Sequence, residues 1–463
     1  MARKVLISFL GTNQYVPVYY SREGKKVTDH PTKYIQEALA YKLCKGWNDK
    51  DCIMVFRTKE SNEKNWIDSN SGPGLASTLN KMAELKCRIN PEKDKGKDTY
   101  MIPAGFSDKE TEEMFKCVFD KLDKGDEVYF DMTHAFRSIP IFASTLFNYA
   151  RFLKDIKVKG VYYGAFEALG YAALVREWPK EKIEANPAPI VDMTNMVLLQ
   201  DLTTAAASFR NSGNLRSFSE LLEDRVDEGL DEAVDDIIFA LGDLDLYIQT
   251  SCIDDLKSGK YMKTINTRIN DFCESSFTTD PQKELIREIQ SELNRYGFMP
   301  KDDYANVEGA IKWAINHNMI QQAYTMAKEY IISRVYDLIK EEGLAESLLA
   351  EVKKNNPKLL PKNQTFEIRR AVGDIIKSIY KTTSDYYVMN YHSKWNNSPT
   401  AKKLIRKHQA IGELVQPYLE ISESRNLLSH GGTTSDDVKG FETYKEEFNE
   451  CWDRCLKALR ILE

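Results

Sequence analysis

A parallel, doubly wound α/β domain followed by an all-α half is the fold class this sequence predicts, and three observations carry it. Short apolar runs rich in Val, Ile, Phe and Tyr alternate with amphipathic stretches through residues 1–190. Beyond Thr194 such runs nearly vanish and long helical patterns take over. The 463 residues, 42% apolar and 29% charged, are globular in composition and too many for one ordinary core.

The strand-like runs are Val5–Leu10, Cys52–Phe56, Thr99–Ile102, Glu127–Met132 and Val158–Tyr163. Between them, Lys109–Leu122 sets Met114, Phe115, Val118, Phe119 and Leu122 on one side, and Ile139–Lys154 is a second amphipathic stretch. Such alternation implies a parallel sheet covered by helices, which binds ligands beyond the carboxyl ends of its strands where the chain direction switches. Met1–Leu10 runs straight into Gly11-Thr12-Asn13 without a small-residue cleavage site, so it reads as a first strand, not a signal peptide. Composition changes after Asn186-Pro187-Ala188-Pro189. The expected outline is a sensor domain over 1–190, a helical connector over 191–260 and a helical domain over 261–463, with breaks at Gly297–Asp303, Lys353–Gln364 and Ser393–Thr400.

Composition excludes several classes of function. No run approaches the ~18 uninterrupted apolar residues of a membrane span, so no membrane partner and a cytoplasmic location are expected. The eight cysteines contain no CxxC pair, and Cys451 and Cys455 have no nearby histidine to complete a zinc set. Reduced, mostly buried thiols and no metal site are expected. A net charge of −6 argues against a general nucleic-acid coat, so any RNA contact must be local. Lys402, Lys403, Arg406, Lys407 and His408 form a basic patch that reads first as a solvated helix face. Trp313, Tyr324 and Tyr330 read as core.

The chemistry concentrates in Arg425-Asn426-Leu427-Leu428-Ser429-His430. Leu414, Tyr418, Ile421 and Leu428 recur at helical intervals and should face a core, and Arg425 falls on that stripe where an apolar residue is expected. Asn426 and His430, four apart, share a face. Gly431-Gly432 then supplies a helix stop. Arginine and histidine five apart diverge by ~140° on a continuous helix, so a helix end or a partner subunit must bring both to one phosphate. The residue types suit RNA cleavage. RNA carries its own nucleophile in the ribose 2′-OH, a histidine moves protons near neutral pH, and an arginine stabilises charge building on phosphorus. Asn426 can orient the phosphate or the imidazole. A bare R-x4-H is weak evidence, and the bland alternative is an Arg425 salt bridge to Glu420 or Glu423 beside an exposed histidine.

Two strand-ending loops form the second constellation. Gly11-Thr12-Asn13 follows the first strand without a full G-x-G-x-x-G, which argues against a dinucleotide cofactor. Asp131-Met132-Thr133-His134 ends another strand at the same edge, where Thr133, His134 and Arg137 offer hydroxyl, imidazole and guanidinium and Ser138 caps the next helix. The bland alternatives are capping for Asp131 and Thr133, a satisfied loop histidine, and a surface ion pair for Arg137. Asp131 would oppose a phosphate.

The N-terminal half resembles the CARF (CRISPR-associated Rossmann fold) domain of type III CRISPR ancillary effectors. The resemblance rests on Val5–Asn13, Phe56-Arg57-Thr58 with Asn65-Trp66, Ile102-Pro103-Ala104-Gly105, Asp131–Ser138 and Tyr163–Glu167, in the family's order, with Ile190–Thr194 resembling its exit. The C-terminal half in that family is often a HEPN domain (higher eukaryote and prokaryote nucleotide-binding helical fold), whose R-x4-H signature commonly has Asn after the Arg, as Asn426 stands here. The resemblance implies a Rossmann-like CARF sensor and an all-α HEPN ribonuclease with catalytic Arg425, Asn426 and His430. It implies a cyclic oligoadenylate, four adenylates by first expectation, bound by Gly11, Thr12, Asn13, Asp131, Thr133, His134, Arg137 and Ser138 across a homodimer or higher oligomer. The enzyme would need no cofactor, cut single-stranded RNA and leave a 2′,3′-cyclic phosphate. Three rival readings are a CARF protein that degrades its own ligand, an inactive adaptor, and a DNA-binding regulator, for which neither a winged helix nor a basic recognition helix is clear.

Overall fold

The computed structural model describes residues 2–70, 72–91, 98–134, 139–213, 232–275, 278–382, 387–390, 392–429 and 440–462. The chain divides into two compact units, Met1–Asp201 and Leu202–Glu463, and the division falls inside the helix Thr194–Ser212.

The first unit is built on eight strands: β1 (Lys4–Leu10), β2 (Tyr20–Arg22), β3 (Lys25–Lys26), β4 (Cys52–Arg57), β5 (Arg88–Ile89), β6 (Glu127–Asp131), β7 (Lys157–Gly164) and β8 (Ala188–Asp192). They lie in the order β3-β2-β8-β7-β6-β1-β4-β5. β1 pairs in parallel with β4 on one side and β6 on the other. The chain therefore goes out to β4 and β5, returns past β1, and continues to β6 and β7. That reversal opens a crevice beyond the carboxyl ends of β1 and β6.

Four of the five expected strands form as β1, β4, β6 and β7. Thr99–Ile102 does not: Met101 makes a single parallel bridge to Arg57, and β5 pairs with the start of β4 instead. Pro103, which has no N–H to give a ladder, follows directly. The sheet is also mixed, because β8 runs antiparallel to β7 and β3 antiparallel to β2.

β1 is buried along all but its first residue because helices cover both faces of the sheet. Its side chains divide by the strand period of two. Val5, Ile7 and Phe9 pack with Met114, Val118, Leu146 and Phe147, while Leu6 and Leu10 pack with Ile35, Ala38 and Leu39 on the opposite face. These partners lie on α1 (Ile35–Leu43), α2 (Asp108–Lys121) and α3 (Ile139–Lys154). α2 starts at Ser107, whose hydroxyl accepts from Glu110 N at 3.2 Å while the Glu110 carboxylate accepts from Phe106 N at 2.7 Å. The Ser107 hydroxyl satisfies one donor that the helix start leaves open, and Glu110 ties back the residue before the cap.

The second unit is helical. Its described helices include α4 (Glu232–Gln249), α5 (Lys260–Glu274), α6 (Asp280–Arg295), α7 (Tyr304–Asn316), α8 (Ile320–Glu341), α9 (Gln364–Lys377), α10 (Pro399–Lys407), α11 (Val415–Ser429) and α12 (Phe441–Leu462). α4, expected within a connector, packs on α5 inside this unit. α8 lies at the centre, against α7, α9, α11 and α12. Trp313, Tyr324 and Tyr330 are buried in this core, as their helical context led us to expect. The half is not purely α: Ile379–Lys381 (β9) and Tyr387–Met389 (β10) pair antiparallel. Three-residue strands are too short to show a period in sequence. Lys402, Lys403 and Arg406 lie exposed on α10, whereas Lys407 and His408 both meet Glu342. No described helix is long and apolar enough to cross a membrane.

Candidate functional site

The crevice in the first unit is built on a buried polar network beneath its loops. Ser8 Oγ on β1 donates to Asp131 Oδ2 on β6 at 2.7 Å, and Gln36 Nε2 on α1 donates to Ser8 Oγ at 3.0 Å. Asp131 Oδ1 accepts from Thr133 N at 3.0 Å, and Thr133 Oγ1 accepts from Gly164 N at 2.8 Å. Asp131 is only 1% exposed, and burial pushes its carboxyl up against the pull of these donors. Asp131 is buried and holds the β6 turn through Ser8 and Thr133.

Above the network, the loops after β1 and β6 meet as their order at the sheet edge implied. A Cβ at Gly11 would fall 2.7 Å from Tyr15 Oη and 3.4 Å from His134 Cβ, so a side chain there would displace the Tyr15 hydroxyl. Tyr15 lies over the His134 ring, with centroids 4.4 Å apart and planes at 38°. His134 Nε2 is sealed from solvent without a hydrogen-bond partner among the described residues. Burial pushes its imidazole down to about 4, so it is neutral near pH 7. It buttresses Tyr15 from below.

Thr12 and Asn13 reach open space. They line a cavity of about 480 Å³ with Tyr15, Lys33, Asn65 and Arg176 among others. Its wall carries Lys33, Lys64, Arg176 and Glu63, and Lys64 is paired with Glu60 at 2.6 Å. Asn65 holds the rim: its Nδ2 donates to Gly11 O at 2.9 Å and Asn13 O at 3.0 Å. Asn65 sits in a π-helical turn, Asn62–Trp66, that Arg57 fixes by donating to Asn62 Oδ1 at 2.7 Å and lying 4.3 Å from the Trp66 ring. Sequence reasoning quoted Asn65-Trp66 without giving it a role, and it missed Tyr15, Lys33 and Arg176. An unusual Arg57 at the carboxyl end of a buried strand was the available signal. Arg137 and Ser138 lie outside the described residues.

In the second unit, Leu414, Tyr418 and Ile421 face the core as their spacing implied. Arg425 follows them on the same side of α11 and is half-buried, while Asn426 is exposed. The Arg425 Nε is sealed from solvent with no hydrogen-bond partner among the described residues. Among the described residues Arg425 forms no ion pair with Glu420 or Glu423; Glu420 pairs with Arg454 on α12 and accepts from Gln416 at 2.9 Å. Instead Arg425 neighbours a cation, Lys328 on α8, whose ammonium is pushed down by burial and then by the charges of Arg425 and Lys377. His430 and Gly431-Gly432 lie outside the described residues, beyond the printed end of α11 at Ser429.

A buried guanidinium edge without an acceptor costs stability unless something else uses it. Among known proteins, no family model matches the chain. Over 349 residues, 74% of this chain, it is 25% identical to the CRISPR-associated protein MJ1674 of Methanocaldococcus jannaschii. The chain is similar to a CRISPR-associated protein. It spans about half the length of that relative, 48%. Among solved structures, Enterococcus italicus Csm6 bound to cyclic hexa-2′-fluoro-hexa-dAMP aligns over 99% of this chain and 94% of its own, at 12% identity and a TM-score of 0.41. At that score the alignment carries no argument about fold.

Proposed function

We propose that the chain is a metal-independent endoribonuclease that cuts single-stranded RNA in type III CRISPR defence and is switched on by a cyclic oligoadenylate. The observation that carries this reading is Arg425, an arginine held on the buried stripe of α11 with its Nε sealed and without a partner. The printed name of the curated relative, a CRISPR-associated protein, supports the setting.

Arg425 and Asn426 hold the scissile phosphate, and His430 moves the protons. The ribose 2′-oxygen loses its proton and bonds to phosphorus, negative charge builds on the phosphoryl oxygens that Arg425 faces, and the bond to the 5′-oxygen breaks as that oxygen gains a proton. The products are a 2′,3′-cyclic phosphate and a 5′-hydroxyl. His430 returns to its starting state by exchanging protons with water.

The sensor function belongs to the β1–β6 crevice. Its cavity offers Thr12 and Asn13 to ribose or base edges, and Lys33 and Arg176 to phosphates. A ligand with internal symmetry suits a two-fold axis, so the active species is a homodimer with Arg425 and His430 of two subunits around one cleft. Cyclic tetra-adenylate is the first ring to test. Thr133 and His134 lie on the β6 turn beside the crevice, and Arg137 and Ser138 are further candidates for ligand contact.

The test mixes purified protein with a fluorogenic single-stranded RNA, EDTA, and cyclic tri-, tetra- or hexa-adenylate in turn. Cleavage with one ring, abolished in His430→Ala while binding of that ring survives, is the expected result. Undiminished cleavage by His430→Ala removes the catalytic assignment. No cleavage with any ring, in folded dimeric protein, leaves an adaptor that assembles on its ligand.

A further inference from the structure

The groove beside the Arg425 helix carries more positive charge than its own carboxylates neutralise. It lies between α8, α9 and α11, encloses about 350 Å³, and is lined by Lys328, Arg369, Arg370 and Lys377 around Tyr418, with Glu329 and Asp374 as its only acids. Both acids are committed. Arg369 donates to Glu329 Oε2 from Nε at 3.0 Å and from Nη2 at 2.7 Å, and Lys394 reaches Asp374 at 2.6 Å. Among the described residues no ion pair includes Lys328, Lys377 or Arg425.

The groove is also in line with Arg425. Tyr418 forms its floor, packed so closely over Gly373 that a side chain there has no room. Tyr418 and Arg425 are seven residues apart on α11, so they share a face about 10 Å apart along the axis. Lys328 lines the groove and is close enough to Arg425 for the two charges to oppose each other. Lys328 and Arg425 are half-buried cations that oppose each other, Glu329 beside Lys328 is shared with Arg369, and Lys377 stands exposed over the Tyr418 ring, so an anion entering the groove meets charge that is not fully neutralised.

We propose that Lys328 and Lys377 bind the backbone phosphate next to the scissile one, so that the α8–α9–α11 groove leads single-stranded RNA to Arg425. Lys328 is a positioning residue in this scheme. The inference rests on the reading that Arg425 belongs to an RNA-cutting site.

The test uses the full chain silenced by His430→Ala, with cyclic tetra-adenylate present, and measures binding of a labelled mixed-sequence single-stranded RNA from about 50 to about 200 mM salt. Adding Lys328→Met, which keeps the apolar stem, is expected to weaken binding alike for all RNA sequences and to flatten the log–log salt slope by about 0.7. Lys328→Arg is expected to restore the slope. In the cleaving protein, Lys328→Met is expected to raise KM and leave kcat nearly unchanged, with an unchanged melting temperature showing that the fold is intact. An unchanged salt slope in folded Lys328→Met protein, when wild type cleaves RNA and His430→Ala does not, overturns the groove alone. Cleavage that survives His430→Ala overturns the reading beneath it.

Discussion

At Gly11 the space a side chain needs is already taken by the Tyr15 hydroxyl, which packs over His134. Gly11→Ala must push Tyr15 off the His134 ring, at about 1–3 kcal/mol for overpacking. Its expected outcome is a lower melting temperature and roughly tenfold more cyclic tetra-adenylate for half-maximal binding, since about 1.4 kcal/mol is a factor of ten. Scanning calorimetry checks the first and titration calorimetry the second, on wild type and variant. His134 gives a pH signature. Folded, it resists protonation to about 4, whereas an unshifted imidazole protonates near 6.5. Between these values the unfolded chain binds more protons, so stability is lost as pH falls through that window, by about 1–3 kcal/mol for a half-buried ring. Asp131, raised by burial, works in the opposite sense and gains stability as pH falls. Urea unfolding of wild type against His134→Gln isolates the histidine, and equal pH dependence in the two proteins would remove its role. Thr133 and His134 were legible as residues at a strand end. That His134 lies beneath Tyr15 was not, because Tyr15 is a residue whose partner sits 119 positions away and no local spacing points to it.

Elements that bury both faces wrote themselves into the sequence most clearly. β1 and β4 are near-continuous apolar runs because two helical layers cover them. β2, β3 and β5 span three residues or fewer, so they owe their existence to neighbouring strands and left no pattern. β8 was legible only as a downstream resemblance, since Pro187 precedes and Pro189 sits inside a strand whose antiparallel pairing to β7 is set by the return of the chain. The π-helical turn at Asn62–Trp66 matters more to the site than any of these. Through Asn65 it ties two carbonyls of the β1 loop. Asn65→Ala removes both hydrogen bonds, each worth about 0.5–1.5 kcal/mol, and frees the rim that carries Thr12 and Asn13. The expected outcome is a modest fall in melting temperature with a larger loss of ring binding. Asn65→Asp sets a carboxylate against two carbonyl oxygens and should be worse in both. A variant that binds cyclic tetra-adenylate as wild type does would show that the turn does not shape the cavity.

At the scale of the whole chain, the two-part organisation follows from composition, but its division does not fall where the prolines do. Asn186–Pro189 leads into β8, still within the first unit, and the division comes inside Thr194–Ser212. A helix that crosses a division gives no turn signal for a reader of sequence to find. The proposed switch makes a demand on both units that is independent of how they are arranged. If cyclic tetra-adenylate bound in the β1–β6 crevice tightens RNA at Arg425 by some factor, RNA must tighten the ring by the same factor, because both describe one coupling free energy. Couplings of this kind are typically about 1–3 kcal/mol, or roughly 5–150-fold. The measurement uses His430→Ala protein, which holds RNA without consuming it. Ring affinity is titrated with and without saturating single-stranded RNA, and RNA affinity with and without saturating ring. Equal factors above one are expected, and Lys328→Met should weaken RNA binding while leaving that factor unchanged, because it removes a contact with RNA in either state. Factors of one in both directions, in protein that still cleaves RNA only when the ring is present, would mean the ring acts on the chemical step and not on RNA binding, and the assembly of the cleft around Arg425 and His430 would then be the event it controls.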